Sequence, residues 1–162
     1  MIRDVWAWNL EQEIKIISDL IIDYPYIAMD TEFPGVVAKP AGSFQSTEEL
    51  EYQRMRCNID ILKIIQIGIS LGDGNGKVPS PCCGWQFNFK FDLSSDPHYQ
   101  RAITLLQQSG INFKKFNEEG IDVYDFARLI IPSGMVLCDS VTWVTFHGNS
   151  DFGYFLKVLT CQ

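Results

Sequence analysis

The stretch Tyr26-Ile27-Ala28-Met29-Asp30-Thr31-Glu32-Phe33-Pro34-Gly35 decides how the rest of the chain is read. Its first seven residues, apolar at the start, predict a strand, and Phe33-Pro34-Gly35 stops it. Successive side chains of a strand leave opposite faces. Asp30 and Glu32 therefore share one face, with Cα atoms about 6.6 Å apart, and Thr31 points into the opposite layer. Two carboxylates on one face repel each other unless water solvates them or positive charge lies between them. A pair of divalent cations, Mg²⁺ foremost, would relieve the repulsion and create a phosphodiester-cleaving site. An acid-x-acid pair at a strand end also reads as two solvated charges. The apolar run upstream favours the end of a buried strand.

Upstream, Leu10, Ile14, Ile17 and Ile21 recur at helical spacing, with Glu11, Glu13 and Lys15 on other faces. Asn9 is the expected N-cap, Gln12 completes a capping box, and Tyr24-Pro25 ends the helix. Downstream, Ser46-Thr47-Glu48-Glu49 is a second capping box and predicts a helix over about 47–61. The β-branched run 63–70 predicts an interior strand, and 72–76 supplies turn chemistry. Trp85, Phe87, Phe89 and Phe91 alternate with polar residues, the pattern of a strand with an aromatic core face. Asp96-Pro97 is read as the start of a helix that ends at Ser109-Gly110. Another helix is expected over 122–131, closed by Pro132-Ser133-Gly134, then a strand over 141–146 and a helix opening at Asp151. The order α-β-α-β-β-α-α-β-α describes an α/β sheet covered by helices, with its second and third strands as a hairpin. The helical stretch before the fourth strand permits a crossover that lays it parallel to another.

If the first and fourth strands are parallel, Asp30, Glu32 and Asp151 lie on one carboxyl rim, where ligands of open α/β sheets collect. These three acids form the candidate divalent-metal site. Asp151 is equally suited to cap the helix that it opens, and the two roles compete for the same oxygens. His147 serves either as a hydrogen-bonding group at that rim or as a structural residue. Glu48, Glu49 and Glu51 read as solvated acids at a helix start, and Lys114-Lys115 as solvated surface.

Composition narrows the choices further. The 162 residues carry thirteen Lys and Arg against twenty Asp and Glu, a net charge of −7, and 46% are hydrophobic. That balance supports a sizeable core and argues against a basic patch that grips phosphates without regard to sequence. The five cysteines form no CxxC pair. They read as reduced thiols in cytosol or nucleus, and structural zinc is set aside. No apolar run reaches the roughly 20 residues of a membrane span, and no signal-peptide pattern is present.

Four motifs in order resemble a known family: Met29-Asp30-Thr31-Glu32-Phe33-Pro34-Gly35, Asn58-Ile59-Asp60-Ile61-Leu62-Lys63-Ile64-Ile65-Gln66-Ile67-Gly68, Trp85-Gln86-Phe87-Asn88-Phe89-Lys90-Phe91, and Phe146-His147-Gly148-Asn149-Ser150-Asp151-Phe152-Gly153-Tyr154. Trp6-Ala7 and Ser109-Gly110-Ile111 also match. The family is the deadenylase subunit of the Ccr–Not messenger-RNA decay complex. The resemblance implies a ribonuclease-H-like mixed sheet flanked by helices, and a 3′-to-5′ exoribonuclease that shortens poly(A) tails with divalent metal, Mg²⁺ first and Mn²⁺ or another hard cation next. It implies poly(A) RNA, the NOT scaffold and a second deadenylase subunit as partners, and residence in cytoplasm and nucleus. In that family four acids hold the metals and a histidine assists the attacking water. Asp30 and Glu32 match the first motif and Asp151 the second. The third, a histidine followed by the fourth aspartate, has no counterpart here.

Residues 1–162 are accordingly expected to form one C-terminally truncated domain of this kind, stopping mid-helix at Gln162. The missing layers should leave apolar faces of the first helix and the sheet uncovered. Little or no deadenylase activity is expected of such a chain, and the alternatives are an inactive module on the NOT scaffold or a non-functional gene fragment.

Overall fold

A computed structural model describes residues 1–161. In chain order the elements are β1 (Ile2–Val5), α1 (Leu10–Leu20), β2 (Tyr26–Glu32), α2 (Thr47–Ile61), β3 (Gln66–Gly72), β4 (Gly84–Asn88), α3 (Gln100–Gln108), α4 (Phe113–Glu119) and α5 (Val123–Ile130). A 3₁₀ turn (Ile131–Ser133), β5 (Thr142–Val144) and α6 (Asn149–Thr160) follow. The strands form one mixed sheet in the order β1-β4-β3-β2-β5. β2, β3 and β4 are neighbouring antiparallel strands, while β1 joins β4 and β5 joins β2 in parallel. The α/β class, the hairpin and the parallel crossover are as expected.

Strand alternation sorts this sheet into two unlike sides. Ile27 and Met29 of β2, Ile67, Ile69 and Leu71 of β3, and Trp85 and Phe87 of β4 are buried on one side. They pack with Leu10, Ile14 and Ile17 of α1, Phe126 and Ile130 of α5, and Tyr154, Phe155 and Val158 of α6. The aromatic stripe is core: Phe87 and Phe89 each meet Phe126 edge-on, with ring centroids 5.2 and 5.1 Å apart. A second cluster joins Trp6, Ile65 and Phe91 to α3 and α4. The apolar face of α1 is thus covered, against the expectation. The other side of the sheet is open, and there Ile2, Val144 and Phe146 remain exposed.

Several local readings are corrected. β1 was not foreseen, and neither was α4, whose N-cap Asn112 accepts from the backbone N–H groups of Lys114 and Lys115. Asn9 does not cap α1 through its side chain. Its Oδ1 accepts from Trp6 N at 2.7 Å and its Nδ2 donates to Asp4 O at 3.1 Å, tying the helix start back to β1. Asp96 does not open α3, which begins at Gln100. Its buried carboxylate accepts from Asp92 N and pairs with Lys63 Nζ at 2.6 Å. The strand expected over 63–70 begins at Gln66, because Ile65 N and Gln66 both answer Glu32 across the ladder, a bulge-like irregularity. The last strand shrinks to three residues. Rather than running on mid-helix, α6 ends at Thr160 and Cys161 turns left-handed; Gln162 lies outside the described residues. Ser46, by contrast, caps α2 as expected, its Oγ accepting from Glu49 N.

Candidate metal-binding rim

The parallel register Tyr26↔Thr142, Ile27↔Trp143 and Ala28↔Val144 brings the carboxyl ends of β2 and β5 to one edge. β2 ends there in Asp30 and Glu32, and β5 leads through Phe146-His147-Gly148 into α6. The loop after Glu32 is held by Asn58, whose Oδ1 accepts from Val37 N and Ala38 N at 2.7 and 2.9 Å. Gly35 sits at a φ of 90°, where a Cβ would come within 2.9 Å of the Tyr99 Cβ, so the turn admits only glycine without displacement.

Asp30 and Glu32 both project from the open side of β2 and are exposed to water, and Asp30 Oδ1 accepts from Thr31 N at 3.0 Å. Partial burial, followed by the charges of Asp30 and Asp151, raises the Glu32 carboxyl above its ordinary value. Asp151 differs. It stands in the first turn of α6 with only 7% of its surface exposed. Its Oδ1 accepts from Thr31 Oγ1 at 2.5 Å. Asp151 therefore meets β2 through Thr31, which belongs to the covered side, instead of sharing the open side with Asp30 and Glu32.

The three acids are brought to one rim but not into one cluster. Among the described residues no three His, Cys, Asp or Glu side chains group closely enough to hold a metal ion. Asp151 does not act as an N-cap either, since that position is Gly148. His147 takes a φ of 53° with its ring exposed against Phe146, and its ring nitrogens make no hydrogen bond among the described residues. Lys114 and Lys115 lie elsewhere: Lys115 Nζ sits 4.1 Å over the Trp6 ring and Lys114 faces Glu118. The acids at the start of α2 are solvated as read, and backbone and Ser46 hydrogen bonding lowers the Glu48 carboxyl.

The donor chemistry suits a hard divalent cation. All three candidates offer carboxylate oxygen, and none makes an ion pair with any Lys, Arg or His among the described residues. Beside them the open side of the sheet forms a trough of about 790 Å³, floored by Ala28, Gly68, Ser70 and Gly84 and bounded by Ile2 and Phe146. The small floor residues follow from register: Ala28, Ser70 and Gly84 lie in one row across three strands.

Other polar side chains that hold the interior together escaped the sequence reading. Lys157 Nζ of α6 donates to the carbonyls of Ile59, Asp60 and Leu62 at 2.6, 3.1 and 3.1 Å, capping the end of α2. The Tyr154 ring stacks on Phe33 with centroids 5.0 Å apart, and burial raises the pKa of its unpartnered hydroxyl well above the ordinary tyrosine value. Glu13, read as lying off the apolar stripe of α1, is buried. It accepts from Trp85 Nε1 at 2.8 Å and pairs with Arg3 at 3.1 Å. An acid on a helix gives no local sign of such a partner. Thr31 alone had a signal, its alternation into the opposite layer.

Comparisons with known proteins agree with this architecture. Residues 5–126 match the family model described as CAF1 family ribonuclease, a span that includes Asp30 and Glu32. The chain is 54% identical over 159 residues to the poly(A) ribonuclease pop2 of Schizosaccharomyces pombe, covering 98% of this chain and 48% of that protein. It is 50% identical to the probable CCR4-associated factor 1 homolog 7 of Arabidopsis thaliana, covering 99% of this chain and 61% of the relative. The chain thus spans about half to three-fifths of the length of these relatives. Its structure superposes on S. pombe Pop2p in its Mg²⁺- and Mn²⁺-bound form with a TM-score of 0.97, at 53% identity, over 99% of this chain and 64% of the other. A yeast CAF1 structure obtained with the NOT1 MIF4G domain gives a TM-score of 0.82 at 37% identity, over 100% of this chain and 60% of the other. A family match over three-quarters of the sequence, reinforced by a structural match at a TM-score of 0.97, leads to one conclusion: the chain belongs to the CAF1 ribonuclease family.

Proposed function

We propose that this chain carries part of a metal-dependent ribonuclease centre acting from the 3′ end of poly(A) RNA, with Asp30, Glu32 and Asp151 as its cation-binding residues. The observation that carries the reading is an acidic rim without counter-charge. Three carboxylates lie along the rim at the ends of β2 and β5, no basic side chain pairs with them among the described residues, and partial burial, followed by the charges of Asp30 and Asp151, raises Glu32. Mg²⁺ is the first candidate and Mn²⁺ the second, supported by the S. pombe relative's structure with both ions. A bound divalent cation would supply positive charge at a phosphate and lower the pKa of a coordinated water.

The protein's own contribution is positional. Asp30 and Glu32 present oxygens on the open side, and the trough of small residues lets an RNA strand approach the sheet closely. Phe146, 87% exposed at the trough's edge, offers a face on which a base can stack. With a net charge of −7 the chain has little general attraction for phosphates, so the cation has to supply it. The yeast NOT1 neighbour supports docking on a NOT scaffold. A second deadenylase subunit as co-partner, and residence in cytoplasm and nucleus, belong to the same proposal.

A second reading, an inactive module on that scaffold, draws on the want of any three-ligand grouping among the described residues. The two are separated by incubating the chain with Mn²⁺, and with 5′-labelled RNA bearing a 3′ oligo(A) tail and Mg²⁺. The ribonuclease reading expects saturable Mn²⁺ binding that Asp30→Ala removes. Tail shortening should be slow, since no base joins the acids and such a group contributes typically ~10²–10⁴-fold. A chain that binds the scaffold domain but no divalent cation establishes the module reading instead.

A further inference from the structure

We infer that Thr31 is the positioning residue for Asp151, fixing one carboxylate oxygen so that the other is presented to a cation at the rim. The inference rests on the ribonuclease reading and adds a residue to it.

Alternation along β2 gives Thr31 a different task from its neighbours. Asp30 and Glu32 point into water, and Thr31, 8% exposed, points into the packed layer, where α6 delivers Asp151, itself 7% exposed. A carboxylate that deep needs a partner. Among the described residues the alternatives are absent: Asp151 makes no ion pair and does not cap α6. The Thr31 hydroxyl fills the place, donating to Asp151 Oδ1 at 2.5 Å across 120 residues of sequence. Oδ2 accepts no hydrogen bond among the described residues and keeps its lone pairs.

Two further features make this contact directional. Threonine is branched at Cβ and stiff in χ1, so its hydroxyl direction is set by the strand backbone. α6 is anchored independently of Asp151, by Lys157 on the carbonyls at the end of α2 and by Tyr154 against Phe33. With the helix fixed at those points, the hydroxyl determines the rotation of the carboxylate and not the place of the helix. Groups that orient metal ligands from behind typically change metal affinity ~10–100-fold when removed.

The test uses Mn²⁺ titration of the 162-residue chain, followed by the electron paramagnetic resonance signal of free Mn²⁺. Thr31→Val is expected to weaken binding about tenfold and Thr31→Ser by no more than about twofold. Asp151→Ala is expected to weaken binding as Thr31→Val does, and the double variant should be no weaker than Asp151→Ala alone, because the two residues act as one unit. Unchanged Mn²⁺ affinity in Thr31→Val, whatever its melting temperature, or additive losses in the double variant, overturns the inference and leaves the metal site standing. Mn²⁺ binding that is missing, or that survives Asp30→Ala, overturns the ribonuclease reading and this inference together. Should Thr31→Val not fold, the wild-type chain still decides. Its Thr31 hydroxyl proton should exchange slowly in NMR spectra with and without Mg²⁺, and loss of that protection on adding Mg²⁺ refutes the assignment.

Discussion

The two sides of β2 divide its seven residues, four facing the open side and three the covered one. On the covered side, Ile27, Met29 and Thr31 are buried and each finds a complementary neighbour. On the open side, Ala28 floors a trough, and Asp30 and Glu32 are left with repulsion that no ion pair cancels among the described residues. A period of two residues is enough to separate stability from chemistry. What is satisfied internally holds the fold, and what is left unsatisfied is available to a ligand.

The strongest way to break this contrast is to empty the covered side. Ile27→Ala removes a fully buried side chain and should cost about 3 kcal/mol in urea unfolding, whereas Ala28→Ser one residue away should stay within about 0.5 kcal/mol. Equal losses would show that the open side is packed in solution.

The open side is sharpened by its ligand. Free Mg²⁺ or Mn²⁺ at ten times its dissociation constant should stabilise the chain by about 1.4 kcal/mol, an increment reversed by EDTA and lost in Asp30→Ala. Thermal melts with and without chelator measure it. The cover itself is probed by Lys157→Met, which keeps the apolar stem but abandons three carbonyls; about 1 kcal/mol should be lost.

The smallest effect concerns charge. Folded Glu32 holds its proton more tightly than the unfolded chain does, so without metal its contribution to stability falls as pH rises from the ordinary carboxylate value through the raised one. Above that window the penalty is fully present. Glu32→Gln should therefore stabilise the metal-free chain at neutral pH by about 0.5 kcal/mol, water screening the rest, and the gain should vanish in acid. A gain that persists below the carboxylate range would assign it to packing.

The readings that succeeded were local ones. Ser46 capped its helix, the aromatic stripe of β4 packed as core, and the Asp30–Glu32 pair emerged on one face because alternation needs no distant information. Those that failed were decided by partners that no local pattern marks. Asp96-Pro97 has the pattern of a helix start, yet an ion pair with Lys63 draws the aspartate inward. Asn9 was spent on β1, a strand too short and polar to declare itself. The shared rim of Asp30 and Asp151 followed correctly from parallel strands. The side from which Asp151 arrives did not, because that depends on how α6 lies over β2.

Both edges of the sheet are built from distant sequence. β1 finds its place beside Gly84–Asn88, some eighty residues later, and β5 pairs with a strand more than a hundred residues before it. Within the sheet only β3 and β4 are joined by a short connection, residues 73–83, so entropy favours their pairing first and delays both margins. During synthesis β1 emerges before its partner and waits, its backbone groups unmet, until the residues up to β4 have followed.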